Sequence, residues 1–263
     1  MWTSLLYVVA GLGVGALIGL TGIGGGSVMT PILMFGFGQP PAVAVGTDLA
    51  FAATTRFVAS TPGSTGATVD WQVVRRLAYG SVPATLAVFA LLRFAPPQSQ
   101  APPWIMREGL GAMLLATAAA VAFQGRAQQF GLQWTASALE RAERWKPPLT
   151  VLGGALVGLA VMLTSVGAGA LTVTLLAALY PLRLTGDRLV ATDIAHALPL
   201  TIAAAAGHAA LGHLDVTVLG LLLIGAVPGA LLAQRTKWRA PTRLLRPLLA
   251  TLLIGGAARV LGV

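Results

Sequence analysis

The chain has 263 residues, of which 56% are hydrophobic and 10% charged, with a mean hydropathy of +0.80. A soluble domain carries roughly a quarter charged residues and cannot hide this much apolar surface, so the composition marks an integral membrane protein. There is no Cys, which excludes disulfide scaffolds, thiolate metal sites and cysteine nucleophiles. The net charge of +9 sits between long uncharged runs, a pattern of lipid contact and not of nucleic-acid binding.

A helix needs about 20 apolar residues to cross a core of about 30 Å. Taken in chain order, spans are expected at 2–20, 41–61, 72–93, 104–123, 149–166, 188–210, 214–234 and 243–262. The first stretch lacks a basic leader and runs into glycine-rich sequence, so it reads as part of the mature protein and not as a cleaved signal. Shorter apolar pieces at 27–38 and 170–180 follow glycine-rich breaks. Segment 124–147 is the one long polar stretch, with Trp134, Trp145, a Glu140/Arg144 pair and Pro147-Pro148 as a helix stop. It is expected to be a cytoplasmic linker with an interfacial helix. The other loops are too short to hold a catalytic domain.

The halves resemble each other. A shift of 143 places Gly11, Val14, Gly15, Leu20, Thr21, Gly24 and Gly26 on Gly154, Val157, Gly158, Leu163, Thr164, Gly167 and Gly169. Beyond a two-residue insertion the shift is 145, and Thr47-Asp48 falls on Thr192-Asp193, Asp70 on Asp215, and Gly80-x-Val82-Pro83 on Gly225-x-Val227-Pro228. The expected division is a first transmembrane repeat at 1–123, the linker at 124–147 and a second repeat at 148–263. If 2–38 and 149–180 are hairpins that enter and leave by one face, 13 basic residues collect on one side and 3 on the other. If each crosses once, the split is six to ten. Basic loops stay cytoplasmic, so hairpins are expected, and the second half becomes an upside-down copy of the first. The fold class is therefore all-α, a polytopic transporter of two inverted repeats with helices broken at glycines.

The breaks are candidate substrate sites: Gly22-Ile23-Gly24-Gly25-Gly26-Ser27 and its copy Ser165-Val166-Gly167-Ala168-Gly169. Glycine lets backbone approach a ligand, and the restarting helix aims free N–H groups and a positive dipole end inward. Close packing of helices through small residues is the competing reading. Gly24 to Gly26 is no nucleotide loop, because the Lys and the strand–helix frame are missing. Thr47-Asp48 and Thr192-Asp193 lie near the starts of spans. The acids read either as helix caps or as proton-accepting pathway residues, since intramembrane acids face cavities. Asp70 and Asp215 precede spans and read as caps. Arg56, eight residues after Asp48, is costly in a span unless it is paired, snorkels or holds an anion. His196, one turn after Asp193, reads as a polar pathway residue or a satisfied buried imidazole. His208 and His213 are five apart, do not share a helix face and make a poor metal site.

These residues resemble the sulfite exporter TauE/SafE-like permeases. The resemblance rests on Gly22-Ile23-Gly24-Gly25-Gly26-Ser27 followed by Thr30-Pro31, on Ala44-Val45-Gly46-Thr47-Asp48, and on Gly-x-Val-Pro-Gly/Ala at 80–84 and 225–229. It covers nearly the whole chain and implies a permease for small sulfur-containing anions such as sulfite, thiosulfate and sulfonates, or for organic acids. The second half departs from the first, with Ala168, Ala170 and Thr174 at the places of Gly25, Ser27 and Pro31. Arg56 is a candidate from its position, not from the motif.

The expected protein is a multi-pass cytoplasmic-membrane exporter of sulfite or a related sulfur oxyanion or sulfonate, working by alternating access. Carriage of small carboxylates is the alternative; an intramembrane enzyme or a scaffold is the alternative of another class. No enzyme activity is expected, because no Ser/Lys or His-Glu-x-x-His arrangement appears. The expected substrate contacts are Gly24, Gly25, Gly26, Ser27, Thr47, Arg56, Gly167, Gly169 and Thr192, with Asp48, Asp193 and His196 as proton or pathway residues. No metal, cofactor or nucleic acid is expected. The partners are a small anion and the bilayer, and a homo-oligomer is left open.

Overall fold

The computed structural model describes residues 2–21, 26–59, 68–94, 108–109, 111–120, 122–123, 136–235, 250–251, 254–258 and 261. Among them the regular structure is helical: α1 (Trp2–Thr21), α2 (Gly26–Pro31) running into a π-helical turn (Ile32–Gly36), α3 (Pro41–Ala59), α4 (Trp71–Phe94), α5 (Gly111–Ala120), α6 (Ala136–Thr164), α7 (Ala170–Leu179), α8 (Gly186–Ala210) and α9 (Val216–Arg235). Five of these, α1, α4, α6, α8 and α9, are long and apolar enough to cross a membrane. The protein is a multi-pass, all-helical membrane protein. α3 has 19 residues but carries Thr47, Asp48, Thr54, Thr55 and Arg56, and most of these polar groups are buried against the rest of the molecule.

Glycines let the helices pair backbone to backbone. A Cβ on Gly11, Gly15 or Gly19 of α1 would lie 2.1, 2.3 or 2.5 Å from the carbonyls of Leu222, Ala226 and Ala230 of α9. Both numbers rise together, so α1 and α9 run parallel. Gly154 and Gly158 of α6 meet the carbonyls of Leu77 and Ser81 of α4 in the same way, each at 2.3 Å, so α4 and α6 are also parallel. These are matching glycines of the two halves, packed at matching places.

α7 has ten residues, about 15 Å, half of a hydrocarbon core. It does not go on across. Tyr180 at its end bonds Thr150 near the start of the apolar part of α6 at 2.8 Å, so α6 and α7 form a hairpin. The first half repeats this: Phe37 stacks on Tyr7 with ring centroids 3.9 Å apart, and Gln39 Nε2 bonds the Tyr7 hydroxyl at 3.4 Å. At a shift of 143, Tyr7 and Phe37 are the partners of Thr150 and Tyr180. Arg183 and Arg188, after the second hairpin, both reach Asp70 before α4, which puts those two loops at one end. α8 therefore starts beside α4, and Ser81–His196 and Phe89–Gly207 contacts confirm that the two run parallel.

One expectation is corrected. Pro147 and Pro148 do not stop a helix: α6 runs through both, beginning at Ala136 inside the polar segment. The two missing donors free the carbonyls of residues four earlier, Glu143 and Arg144. Both lie on exposed turns, where polar surroundings can satisfy them. The expected spans at 104–123 and 243–262 are described only in part, as α5 and helical residues at 250–251, 254–258 and 261. Those pieces pack together: Leu114, Ala118 and Ala257 form one cluster with Val166 and Ala170 of the second break.

Candidate functional site

The second break is held open by backbone that few residues adopt. Ser165 has φ 59°, Gly167 φ 122° and Gly169 φ 117°. The two glycines suit these values; Ser165 is a non-glycine residue with positive φ, the kind of local strain that persists where surroundings enforce it. Thr164 ends α6 by bonding Ala160 O at 2.7 Å and receiving the Val166 N–H at 3.2 Å. α7 then begins with no side chain capping its N-terminus. Its positive dipole end is directed at the break.

Arg56, 3% exposed, reaches this break from α3 and donates from NH2 to the Ala168 carbonyl. It makes no ion pair among the described residues. Asp48 and Asp193 are close enough to act on its charge. Neither is a cap: each lies about two turns inside its helix, α3 or α8. Asp48 Oδ2 accepts the Thr30 N–H at 3.2 Å and the Thr30 hydroxyl at 2.5 Å. The Ser165 hydroxyl faces the same carboxylate. His196 Nε2 bonds the Ser81 hydroxyl at 2.9 Å.

Each of these groups keeps an unused atom. Asp48 Oδ1, Arg56 NH1, Ser165 Oγ, Asp193 Oδ1 and His196 Nδ1 are buried without a hydrogen-bond partner, and no other buried side-chain atom among the described residues is in that state. An unmet buried polar atom costs about 1–3 kcal/mol, more if charged. Arg56 and Ser165 lie at the break, Asp48 faces Ser165, and Asp193 and His196 are within electrostatic reach of Arg56, so the unmet atoms belong to one buried polar cluster.

The other expected residues fall elsewhere. Thr47 Oγ1 accepts the Asp215 N–H at 3.1 Å, and Thr192 Oγ1 accepts the Asp70 N–H at 3.1 Å. Each threonine thus caps a helix of the other half. Asp70 and Asp215 cap as expected, accepting the Val73 and Val218 N–H groups at 3.3 and 2.9 Å. Gly167 and Gly169 are in the break, whereas Gly24 and Gly25 lie outside the described residues. Gly26 and Ser27 open α2.

Sequence reasoning missed Thr30, Ser81 and the Ala168 carbonyl as members of the site. Thr30 was visible as part of the Thr-Pro motif, and Ser81 as the variable place in Gly-x-Val-Pro. The Ala168 carbonyl carries no signal, because a backbone acceptor is independent of residue type. No group of three or more His, Asp or Glu side chains that could hold a metal occurs among the described residues.

The family model described as "Sulfite exporter TauE/SafE" matches residues 7–260. A "Probable membrane transporter protein YjnA" of Bacillus subtilis (strain 168) is 33% identical over 254 residues, covering 95% of this chain and 97% of that one. No solved structure matches.

Proposed function

Since the chain belongs to the sulfite exporter TauE/SafE family of membrane transporters, we propose that it exports a small sulfur oxyanion or sulfonate, sulfite being the best candidate. The observation that carries this is the set of five partnerless polar atoms in this buried cluster. Arg56 and the start of α7 supply positive potential, Ser165 a hydroxyl donor and Gly167 and Gly169 close backbone approach. A planar guanidinium with a free NH1 suits a two-oxygen grip on an oxyanion.

The site also holds two carboxylates against one guanidinium. In a buried site a third negative charge is costly. A proton on Asp48 or Asp193 lets the anion join them, so we assign these acids to proton coupling, with His196 on the same pathway. An inside-negative potential by itself favours exit of one negative charge by about 2.3 kcal/mol per 100 mV, so export can run even uncoupled, whereas uptake depends on an ion or a proton.

The two halves work as inverted repeats that expose the breaks alternately, 1–123 and 148–263, joined at 124–147 on the cytoplasmic side of the cell membrane. Matching hairpins and glycine pairings support this reading. Liposome flux over a panel of sulfite, thiosulfate, a sulfonate, sulfate and small carboxylates tests it. Saturable sulfite or sulfonate flux by the purified protein is expected. Flux of carboxylates alone moves the assignment to organic acids, and no flux of any anion overturns it.

A further inference from the structure

A polar cavity of about 230 Å³ is lined by none of the residues around Arg56. It is lined by Gln72 and Arg76 of α4, Glu143 and Lys146 of α6, and Tyr180 and Arg183 just past α7. Three cations therefore meet Glu143 in the lining, with Arg183 also paired to Asp70 beyond it. Each is held by a neighbouring side chain, although Arg183 stays 41% exposed. Lys146, with a side chain only 13% exposed, bonds Glu143 at 2.5 Å and lies 5.8 Å from the Tyr180 ring centroid. Arg183 is fixed by Asp70 and Gln72. Arg76 bonds the Tyr180 hydroxyl at 3.2 Å and has no carboxylate partner among the described residues.

The cavity's height along the helices names its ligand. Its α4 and α6 residues belong to the first turns of the apolar spans Trp71–Phe94 and Glu143–Thr164. Trp71 and Trp145, each 63% exposed, flank it, and exposed tryptophan at span ends marks the headgroup level of a bilayer. Beyond it the same helices carry exposed apolar side chains, Tyr79 and Val82 on α4, Leu149 and Leu152 on α6. A free oxyanion needs only the cations. A phosphate joined to acyl chains also uses the aromatic border and the apolar flanks.

We propose that this cavity binds the phosphate of an anionic phospholipid, clasped by Arg76, Lys146 and Arg183 between the starts of α4 and α6. Basic pockets between spanning helices hold such headgroups. The leaflet, cytoplasmic, rests on the sidedness proposed above; the site itself does not depend on the transported substrate.

The test is native mass spectrometry of the detergent-purified protein, offered equal amounts of phosphatidylglycerol and phosphatidylcholine with identical acyl chains. Wild type is expected to retain phosphatidylglycerol about fivefold or more over phosphatidylcholine, with a preference that shrinks in high salt. Arg76→Gln and Lys146→Gln each reduce that preference about fivefold, while Glu143→Gln raises it. Arg56→Ala leaves it unchanged, so loss of transport and loss of lipid binding are read separately. Equal retention of both lipids by wild type overturns the proposal, and this result needs no variant to fold. Displacement of the lipid by millimolar inorganic phosphate or sulfate overturns it too, in favour of a free-oxyanion site.

Discussion

Asp48 and Asp193 occupy matching places in α3 and α8, yet their surroundings differ. Asp48 receives two bonds from Thr30, whereas Asp193 has no hydrogen-bond partner among the described residues. At the shift that relates the hairpins, Thr30 corresponds to Val173, which has nearly the same shape and no hydroxyl. Arg56 corresponds to Thr201, which bonds the Ala197 carbonyl within its own helix at 2.8 Å. Asp70 is clasped by Arg183 and Arg188, and Asp215 by neither. The scaffold behaves in the opposite way. Gly80 and Gly225 would place a Cβ 1.8 and 1.9 Å from the carbonyls of Val151 and Val8, and the two threonine caps are the same length. Each half keeps the contacts that hold helices together and its own buried acid, Asp48 or Asp193, whereas the buried arginine, Arg56, is present in the first half only.

Breaking the scaffold gives the largest effects. Reporter fusions after Gln129 and Ala240 are expected to report cytoplasm and a fusion after Gln100 the outside. Opposite sides for the first two would end the inverted arrangement. Gly80→Ala and Gly225→Ala are each expected to destabilise by about 3 kcal/mol or more, because whole helices must separate. Gly13→Ala and Gly220→Ala, which meet nothing within 4 Å, are expected to be neutral or slightly stabilising in detergent melts. Equal melting of all four variants would show that the close pairings are not real.

The acids sharpen the comparison. Asp193→Asn is expected to retain substrate binding and lose the pH dependence of flux. Asp48→Asn is expected to do the same with an added loss of stability of about 1 kcal/mol, since it disturbs the Thr30 bonds. If both variants keep the wild-type pH profile, neither acid carries the proton.

The smallest effect falls at the loop ends. Burial pushes the Asp70 carboxyl up, but bonds from Arg183 and the Val73 N–H and the charges of Arg183 and Arg188 outweigh it and hold it below the ordinary 3.8. Asp70 therefore contributes stability above pH 3.8 that is lost as pH falls through its lower folded value. Both arginines are over 40% exposed, so water screens the pair. Asp70→Asn is expected to cost about 1 kcal/mol at neutral pH, with the gap from wild type closing in acid. Asp215→Asn should change little, because Asn caps about as well as Asp. A melting-temperature series against pH separates them.

Much of this was legible in the sequence. Five of the eight expected spans, 2–20, 72–93, 149–166, 188–210 and 214–234, coincide with helices long and apolar enough to cross a membrane, and the folding back of 149–180 was expected from the distribution of basic residues. Arg56 stood out as a charge within an apolar run, and Asp48 and Asp193 as acids repeated at one offset. The roles of Thr47 and Thr192 were not legible. Each caps a helix more than 100 residues away, and such a contact leaves no local pattern. Pro147-Pro148 misled because a proline pair ends most helices, and only the exposure of the freed carbonyls shows why this helix continues. Nothing in residue types distinguishes the Ala168 carbonyl, on which Arg56 rests, from any other.

The central claim is that Arg56 holds the transported anion. The most direct measurement is the affinity of purified protein for sulfite, by calorimetry, in wild type, Arg56→Lys, Arg56→Ala and Thr201→Ala. Arg56→Lys is expected to bind roughly tenfold more weakly, because a point charge does not reproduce a two-pronged grip. Arg56→Ala should be weaker still, and Thr201→Ala unchanged. If Arg56→Lys and Arg56→Ala bind sulfite as wild type does while remaining folded, the anion sits elsewhere and the account is contradicted.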